Sequence, residues 1–445
     1  MSFPFSAPNC VRNTVVSIGA GIAVGTLAAV LSNTAVAAEA PLPLPEAQRL
    51  AVARSRQLSA QDHAVTAARE MAVAAGQLPD PMLKFGIDNL PVDGPDRFSI
   101  TRDFMTMRRV GVAQELTRAD KRRFRSEKFE REAEKTLAEK DKAIAAIERD
   151  TALAWLDRYY AEATAAVIAE QSAQAKLEIQ AADALYRAGR GGRAELFAAR
   201  SALASIDDRA SEAERRVRNA GTMLARWIGD AANQPLAGQP AMDAIRMDPA
   251  MLETQLARHP QIAMMARQEE IAQAEAKLAQ ANKKSDWSVE FMFQQRGPAY
   301  SNMISVGVSI PLQWDQKNRQ DRELSSKLAM VEQARAEREE MLREYVAQTR
   351  TMMNEWQNDR ERHARFERAL IPLARERTTA TLAAYRGGKA ALTDVLAARR
   401  NEIDVRLQAL QLDADTARLW AQINFLFPTT NTASHSAMPV NRATK

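Results

Sequence analysis

The side chains of this sequence best suited to binding a metal are its methionines. Thioethers are soft ligands that suit Cu(I) and Ag(I). Methionine also fills irregular gaps in hydrophobic cores, a role that needs no metal. The sequence leaves both roles open for three pairs of methionines: Met105 and Met107, Met264 and Met265, and Met352 and Met353.

The residue types that usually form an active site are scattered along the chain. No spacing typical of metal ligands connects the four histidines: His63, His259, His363 and His435. The carboxylate pair at residues 269–270 lies in charge-rich helical sequence, which favours a solvated face. The sequence contains no G-x-S-x-G, P-loop or G-x-G-x-x-G motif. We therefore predict that the protein is not an enzyme and that it requires no cofactor.

A glycine-rich turn occurs twice in the chain. Residues 186–200 (YRAGRGGRAELFAAR) align without a gap with residues 385–399 (YRGGKAALTDVLAAR). Both turns stand between long helical segments, whereas glycine loops that bind phosphate follow a strand. Glycine at a helix end permits positive φ, which explains the turn glycines Gly189, Gly191, Gly192, Gly387 and Gly388. Arg187 and Arg386 begin the two turns.

Two further similarities show that the whole chain is duplicated. Residues 110–116 (VGVAQEL) are similar to residues 306–312 (VGVSIPL), and residues 54–58 (RSRQL) more weakly to residues 258–262 (RHPQI). Each copy is predicted to contain a helix, a strand pair, a long helix, a glycine turn and a returning helix.

The limits of the predicted domains follow from this duplication. A segment rich in Pro, Gly, Asn and Asp separates the copies and is predicted to be a linker. The domains are a first copy, 38–228, with a β-hairpin at 82–116 and a helical hairpin at 117–228; the linker, 229–249; and a second copy, 250–427, with a β-hairpin at 287–312 and a helical hairpin at 315–427.

Apolar and polar residues alternate in the predicted strands. Val289, Phe291 and Phe293, for example, fall on one face. A lipid-facing wall around a wet lumen shows this pattern, and so does a half-buried soluble sheet. In lipid an open sheet edge leaves backbone groups unpaired, at a cost of several kcal/mol each. Three protomers with four strands each would close a twelve-stranded barrel.

The predicted helices are long. Residues 117–187 and 315–386 contain no proline except Pro372, and each could reach about 100 Å. Long antiparallel helices need neighbours to cover their apolar stripes. The expected fold class is mainly α with a transmembrane β part, in which the helical hairpins of a trimer form a coiled-coil tube continuous with the barrel.

The N-terminus is typical of a secretory signal peptide. Arg12 precedes an apolar run at 15–31, and Ala-Val-Ala at 35–37 forms a cleavage site. We expect residues 1–37 to be removed, together with Cys10, the only cysteine. The net charge is +5, but export argues against nucleic acid as a partner. The tail, 428–445, is rich in Thr, Asn, Ser and Ala and is predicted to be disordered.

The duplicated order of strand pair, long helix, Tyr-Arg-x-Gly turn and returning helix resembles the TolC-type outer-membrane efflux proteins. The Val-Gly-Val-Ser-Ile-Pro-Leu segment before the second long helix adds to the resemblance, which covers residues 45–428. It implies a homotrimeric exit duct in the outer membrane, in contact with its lipid and with a long periplasmic portion. Such a duct passively conducts substrate from an inner-membrane pump through a periplasmic adaptor.

The resemblance also implies roles for the turns. The turn residues would be the tips that meet the adaptor, although the Arg-Leu-Gly common in the family is Arg-Ala-Gly and Arg-Gly-Gly here. Asp394 matches the first of two acidic gate positions, and three copies could form a ring that selects cations. The second position is Ala397, and Asp394 could instead cap its helix.

The sequence leaves alternatives open for the transported substrate and for the class of protein. Residues 79–91 (PDPMLKFGIDNLP) resemble the heavy-metal branch of the family, whose substrates would include copper or silver. The alternative within the family is a duct for drugs and other organic compounds. A periplasmic coiled-coil scaffold with a small soluble sheet is the alternative outside it.

Overall fold

A computed structural model describes residues 40–189 and 192–429. The predicted signal peptide, Gly191 and all but the first two residues of the predicted tail lie outside the described residues. All the elements named below belong to one compact unit, Pro41–Lys445.

The first copy contains four helices and two strands. Its elements in chain order are α1 (Leu44–Arg54), α2 (Arg56–Ala75), β1 (Met82–Asp88), β2 (Met107–Leu116), α3 (Ala119–Arg187) and α4 (Arg193–Ile228). A short 3-10 helix, Gly229–Asn233, follows α4, and Leu42 forms a parallel bridge with Leu236 in the linker.

The second copy repeats this order with one more helix. After a 3-10 turn at Pro249–Met251, its elements are α5 (Leu252–Leu256), α6 (Pro260–Asn282), β3 (Trp287–Gln295), β4 (Met303–Ser309), α7 (Gln320–Arg365), α8 (Ile371–Arg386) and α9 (Leu392–Asn424).

The length of α3 follows from its composition. It runs for 69 residues without an internal glycine or proline and is rich in Ala, Glu, Lys and Arg, the residues that lose least on entering a helix. At 1.5 Å per residue it extends about 100 Å. None of the helices among the described residues is both long and apolar enough to cross a membrane.

The second long helix differs from the expectation of one helix from Asp315 to about Arg386. Helix α7 begins at Gln320, and a π-helical turn, Phe366–Leu370, separates it from α8. Pro372 follows this turn at the start of α8. Because proline has no N–H and its ring clashes with the preceding turn, a regular helix cannot continue through it, and the π turn accommodates the defect.

The four strands form one antiparallel sheet in the order β1-β2-β3-β4. Phe85 pairs with Val110 in the first copy, and Phe291 pairs with Val306 at the equivalent place in the second. Strand β4 ends at Ser309, earlier than the predicted limit at residue 312. Pro311 cannot donate to a strand ladder, which accounts for the earlier end.

Two hydrophobic clusters lie where the shorter helices pack on the long ones. Trp155 of α3 is fully buried with Leu156 and Leu224, and its indole N–H donates to the Leu42 carbonyl at 3.2 Å. The second cluster packs Leu256 of α5 against Trp356 of α7. These clusters fix the hairpins to the rest of the unit at a distance from both the sheet and the turns.

Candidate functional site

The first glycine turn closes the hairpin formed by α3 and α4. Gly189 has φ +74°, and its N–H donates to the Tyr186 carbonyl at 3.0 Å. Arg187 is exposed, and its guanidinium lies 2.6 Å from the carboxylate of Asp183. Among the described residues, the turn therefore ends α3 through one left-handed glycine.

The second turn has the same geometry. Gly388 has φ +71°, and its N–H donates to the Tyr385 carbonyl at 2.9 Å. Gly387, which aligns with Ala188 in the first turn, has φ −83°. Gly189 and Gly388, which align in the sequence, therefore adopt the same conformation, while Gly387 has an ordinary helical φ.

At the start of each returning helix, an acidic side chain accepts a hydrogen bond from the backbone N–H three residues before it. The Asp394 carboxylate accepts a hydrogen bond from the Ala391 backbone N–H at 3.1 Å. Glu195 accepts one from the Gly192 N–H at 3.4 Å in the first copy. This is the capping role left open for Asp394, whose exposed side chain also remains accessible to solvent.

The two hairpins meet at their tips. Leu392 and Val395 of α9 pack against Leu196 and Ala199 of α4, and all four are buried. Beside this contact lies a groove of about 860 Å³ between α3, α4, α8 and α9. The predicted tip residues among its lining are Arg386 and Gly388. Arg187, Gly189 and Asp394 are not part of its described lining.

A charged cluster that was not singled out from the sequence joins the hairpins above the tip. Arg399 of α9 donates from Nε and Nη2 to one oxygen of Glu178 on α3, at 3.2 and 3.1 Å. It also lies 3.5 Å from Glu402, whose nearer oxygen has no hydrogen-bond partner in the described chain. The signal was present in the repeated Ala-Ala-Arg, because Arg399 aligns with Arg200.

One face of the sheet is a continuous exposed apolar surface. The register aligns Leu83, Val112, Phe291 and Val306 as neighbours across all four strands. The adjacent row is Phe85, Val110, Phe293 and Ile304. Phe85 is 80% exposed and Val306 69%. Monomeric soluble proteins rarely expose an apolar surface of this extent.

The opposite face of the sheet is polar and carries ion pairs. Lys84 of β1 lies 2.7 Å from Glu290 of β3, and Arg109 of β2 lies 3.2 Å from Asp88 of β1. A sheet with one apolar and one charged face suits a wall between lipid and water.

The methionine pairs lie at separate places in the fold: Met105 and Met107 at the loop before β2 and the start of β2, Met264 and Met265 on α6, and Met352 and Met353 on α7. Met353 is buried in α7 and packs in the cluster with Trp356, which is the core role. Met105 is exposed in the loop before β2, and Met264 and Met265 lie on α6. Within the described ranges, no three His, Asp or Glu side chains are grouped as metal ligands.

Known proteins share this architecture. Residues 251–427 match the family model described as outer membrane efflux protein. The outer-membrane channel OprN is 17% identical at a TM-score of 0.73, with 86% of this chain and 90% of that chain covered. CusC is 15% identical at a TM-score of 0.74, with 86% and 92% covered. VceC from Vibrio cholerae is 17% identical at 0.69, with 86% and 95% covered. No curated protein matches the sequence.

At identities of 15–17% the solved channels establish the fold alone. The family model matches the second copy of the repeat in sequence. The solved channels confirm the expected fold class, and the family model agrees with the resemblance over residues 251–427. The second copy of the repeat thus matches the outer membrane efflux protein family, and the chain as a whole has the fold of solved outer-membrane channels.

Proposed function

We propose that the chain is one protomer of a homotrimeric exit duct in the outer membrane. The observation that carries this proposal is the apolar face, which continues across the strands of both copies at the sheet end of the long hairpins. Lipid would cover this face, and the helices would extend into the periplasm. The duct conducts passively, and an inner-membrane pump supplies the free energy.

The two edges of the sheet support closure by further protomers. Within the described chain, β1 and β4 each pair on one side only. Their remaining backbone groups would be unpaired in lipid. Three protomers contribute twelve strands, which leaves no edge.

Detergent dependence and conductance test this proposal. The full chain, purified in detergent, should have the mass of three protomers by native mass spectrometry and give discrete conductance steps in a planar lipid bilayer. A periplasmic scaffold would instead stay soluble without detergent and conduct nothing. That result would reject the duct.

The hairpin tips are the proposed docking surface for a periplasmic adaptor. The supporting observations are the open turns, the exposed Arg187 and Arg386, and the groove between the hairpins. A photo-crosslinking residue at position 187 or 386 should capture the adaptor in cells. The exposed position Met251, remote from the tips in sequence, is the control. Equal capture at position 251 would reject the proposal that the tips dock the adaptor. That proposal covers the other turn residues as well: Gly189, Gly191, Gly192, Gly387 and Gly388.

Asp394 is the proposed gate residue. Its carboxylate caps α9 and is also exposed, so three copies could form an acidic ring at the tip. Asp394→Asn should reduce the preference of the open channel for cations over anions. Glu195→Gln changes the equivalent cap and is the matched control. An unchanged reversal potential would leave Asp394 with the capping role alone.

The transported substrate is proposed to be a heavy-metal cation such as copper or silver. Exposed Met105 provides one accessible thioether, whereas Met353 is explained by packing. In a strain without redundant ducts, deletion of the gene should sensitise cells to copper or silver salts. Sensitivity only to dyes, detergents and antibiotics would assign the duct to organic compounds instead.

A further inference from the structure

The apolar face of the sheet ends in an arginine at its loop end. Side chains of an antiparallel sheet alternate between its faces, so the even-numbered residues of β2 share the face of Val110 and Val112. Arg108 is the next residue of this set, two positions beyond Val110. Its strand neighbours are Ile87, which is 47% exposed, and Gln295.

The adjacent Arg109 confirms this placement. Arg109 packs over Gly86 and lies 3.2 Å from the Asp88 carboxylate, on the polar face. Consecutive residues of a strand point to opposite faces. Arg108 therefore belongs to the apolar face, at the end remote from the helices.

Arg108 is a half-buried cation with few hydrogen-bond partners and no carboxylate partner in the described chain. One terminal nitrogen, Nη2, donates to the Arg296 backbone carbonyl at 3.3 Å, and its buried Nε has no hydrogen-bond partner in the described chain. No carboxylate of the described residues forms an ion pair with it, whereas Arg109 has Asp88. The buried Nε cannot reach an external anion, but the two terminal nitrogens carry four N–H donors, and only one hydrogen bond from them is made in the described chain.

Arg296 directly follows β3, and its backbone carbonyl is the group that accepts the hydrogen bond from Arg108. Its guanidinium donates from Nε to the Phe104 carbonyl at 3.0 Å and lies 4.9 Å from the Tyr300 ring centre. It too has no ion pair with a carboxylate of the described residues. Two guanidinium groups without an ion pair in the described chain thus lie at the loop end of the sheet, Arg108 on the apolar face and Arg296 over the Tyr300 ring.

We propose that Arg108, with Arg296, binds the phosphate groups of a phosphorylated glycolipid in the outer leaflet. This inference rests on the proposed function, because the loop end of the sheet faces that leaflet only if the helices extend into the periplasm. The acyl chains would cover the rows of Phe85 and Leu83, and the phosphates would lie at the level of the arginines. Fork-shaped guanidinium groups suit bidentate recognition of phosphate.

Lipid binding to the detergent-purified full chain tests the inference. Native mass spectrometry would measure the affinity for diphosphoryl lipid A, monophosphoryl lipid A and phosphatidylglycerol. We expect diphosphoryl lipid A to bind most tightly, monophosphoryl lipid A less tightly and phosphatidylglycerol least, and Arg108→Gln to weaken diphosphoryl lipid A binding about tenfold. Arg109→Gln, the same change on the opposite face, should leave that affinity unchanged. Arg108→Lys, which keeps the charge but loses the fork, should fall between wild type and Arg108→Gln.

The outcomes separate the inference from the proposed function. A trimer that conducts normally but whose lipid A affinity is the same in Arg108→Gln and wild type overturns the glycolipid site alone. Equal wild-type affinity for phosphatidylglycerol and lipid A also overturns it, because the site would then recognise any lipid phosphate. A chain that forms no conducting trimer contradicts the proposed duct itself. If Arg108→Gln forms no trimer, the lipid A affinity of Arg108→Lys is the deciding measurement. An affinity equal to that of wild type in Arg108→Lys would show that the site does not need a guanidinium and would overturn the inference.

Discussion

At the scale of single residues, the two tip glycines are positions where the backbone conformation requires a residue without a β-carbon. Gly189 and Gly388 have φ +74° and +71°, and an added Cβ at either would meet nothing within 4 Å. The cost of substitution is therefore backbone strain and not a clash. A residue with a β-carbon loses about 1–2 kcal/mol in this region of φ.

Replacing Gly388 by valine should impair export without abolishing trimers. The strain would alter the turn, whereas the clusters around Trp155 and Trp356 lie elsewhere and would keep the protomer folded. Export by a deletion strain that carries the variant, with trimer content measured by native mass spectrometry, checks this. Gly387→Ala is the matched control, since Gly387 has φ −83° and aligns with Ala188. Normal transport by Gly388→Val would show that export does not depend on the conformation of the tip turn.

His259 is a second residue whose environment has a measurable consequence. It is buried at the start of α6, where its Nδ1 accepts a hydrogen bond from the Gln261 N–H at 3.2 Å. Burial, together with the positive charge of Lys142, lowers the pKa of His259 to about 4. Ser55, which aligns with it in the first copy, caps α2 in the same way.

Stability should therefore fall as the pH is lowered through the range of this histidine. The unfolded chain takes up a proton near pH 6.5, whereas the folded pKa is about 4. Between these values unfolding binds a proton, and the free energy of unfolding should decrease by roughly 1 kcal/mol per pH unit. Thermal unfolding in detergent at several pH values measures this slope. His259→Asn keeps a capping side chain without titrating, and a slope as steep as that of wild type would assign the effect to other groups.

At this scale the backbone conformation of the turns could be predicted from the sequence, whereas the contacts between distant side chains could not. Glycine at a helix end has one main physical reason, so Gly189 and Gly388 could be identified directly. The roles of Arg399 and Glu178 could not, because they lie 221 positions apart and meet only when the two hairpins pack. His259 was likewise visible only as a histidine without ligand spacing.

At the scale of elements, the seam between α3 and α9 is held by spaced charged pairs. Arg399 pairs with Glu178, and Arg406 with Glu170 at 3.0 Å, one heptad further along α9. The Arg399 and Glu178 side chains are only 21% and 13% exposed. Removing one partner from a pair this buried leaves the other charge uncompensated.

Arg399→Gln should loosen the two hairpins near their tips. Glu178 and Glu402 would lose their shared cation, at a cost on the order of 2 kcal/mol. We expect faster amide hydrogen exchange in the tip segments of α3 and α9, and a larger single-channel conductance. Arg200→Gln is the matched control, because Arg200 is 57% exposed and lies 4.0 Å from Asp183. If both variants behave alike, the seam does not restrain the tip.

The type and order of the elements could be predicted because the chain repeats its pattern. Their ends were less predictable where proline intervenes. Pro311 ends β4 early, and Pro372 introduces the π turn between α7 and α8. The packing of the loop between β1 and β2 could not be predicted, since it depends on contacts such as that of Arg296 with Phe104.

At the scale of the whole molecule, the repeat predicts how protomers join. Within each copy the strand register is the same, since the pairs of Phe85 with Val110 and of Phe291 with Val306 correspond. The junction between the copies pairs Gly111 with Met292. If the same junction recurs between protomers, β4 pairs with β1 of the neighbouring protomer, and Gly307 stands opposite Gly86 of that protomer.

This register makes Gly307 a test of closure. At Gly111 an added Cβ would lie 2.5 Å from the Phe291 carbonyl oxygen, so only glycine fits the junction between the copies. At Gly307, which aligns with Gly111, an added Cβ meets nothing closer than Glu290 Cβ at 3.9 Å. Within one protomer, Gly307 is therefore free to change.

We expect Gly307→Val to leave the protomer folded and to abolish the trimer. The valine would collide with the backbone of the neighbouring β1, just as a valine at Gly111 would collide with β3. Native mass spectrometry in detergent would measure the trimer content, and circular dichroism the helix content of the same sample. Gly111→Val should disturb the protomer's own sheet as well and so distinguishes the two junctions. Stable trimers of Gly307→Val would exclude a β4–β1 junction in this register, because a side chain at that position could then be accommodated between protomers.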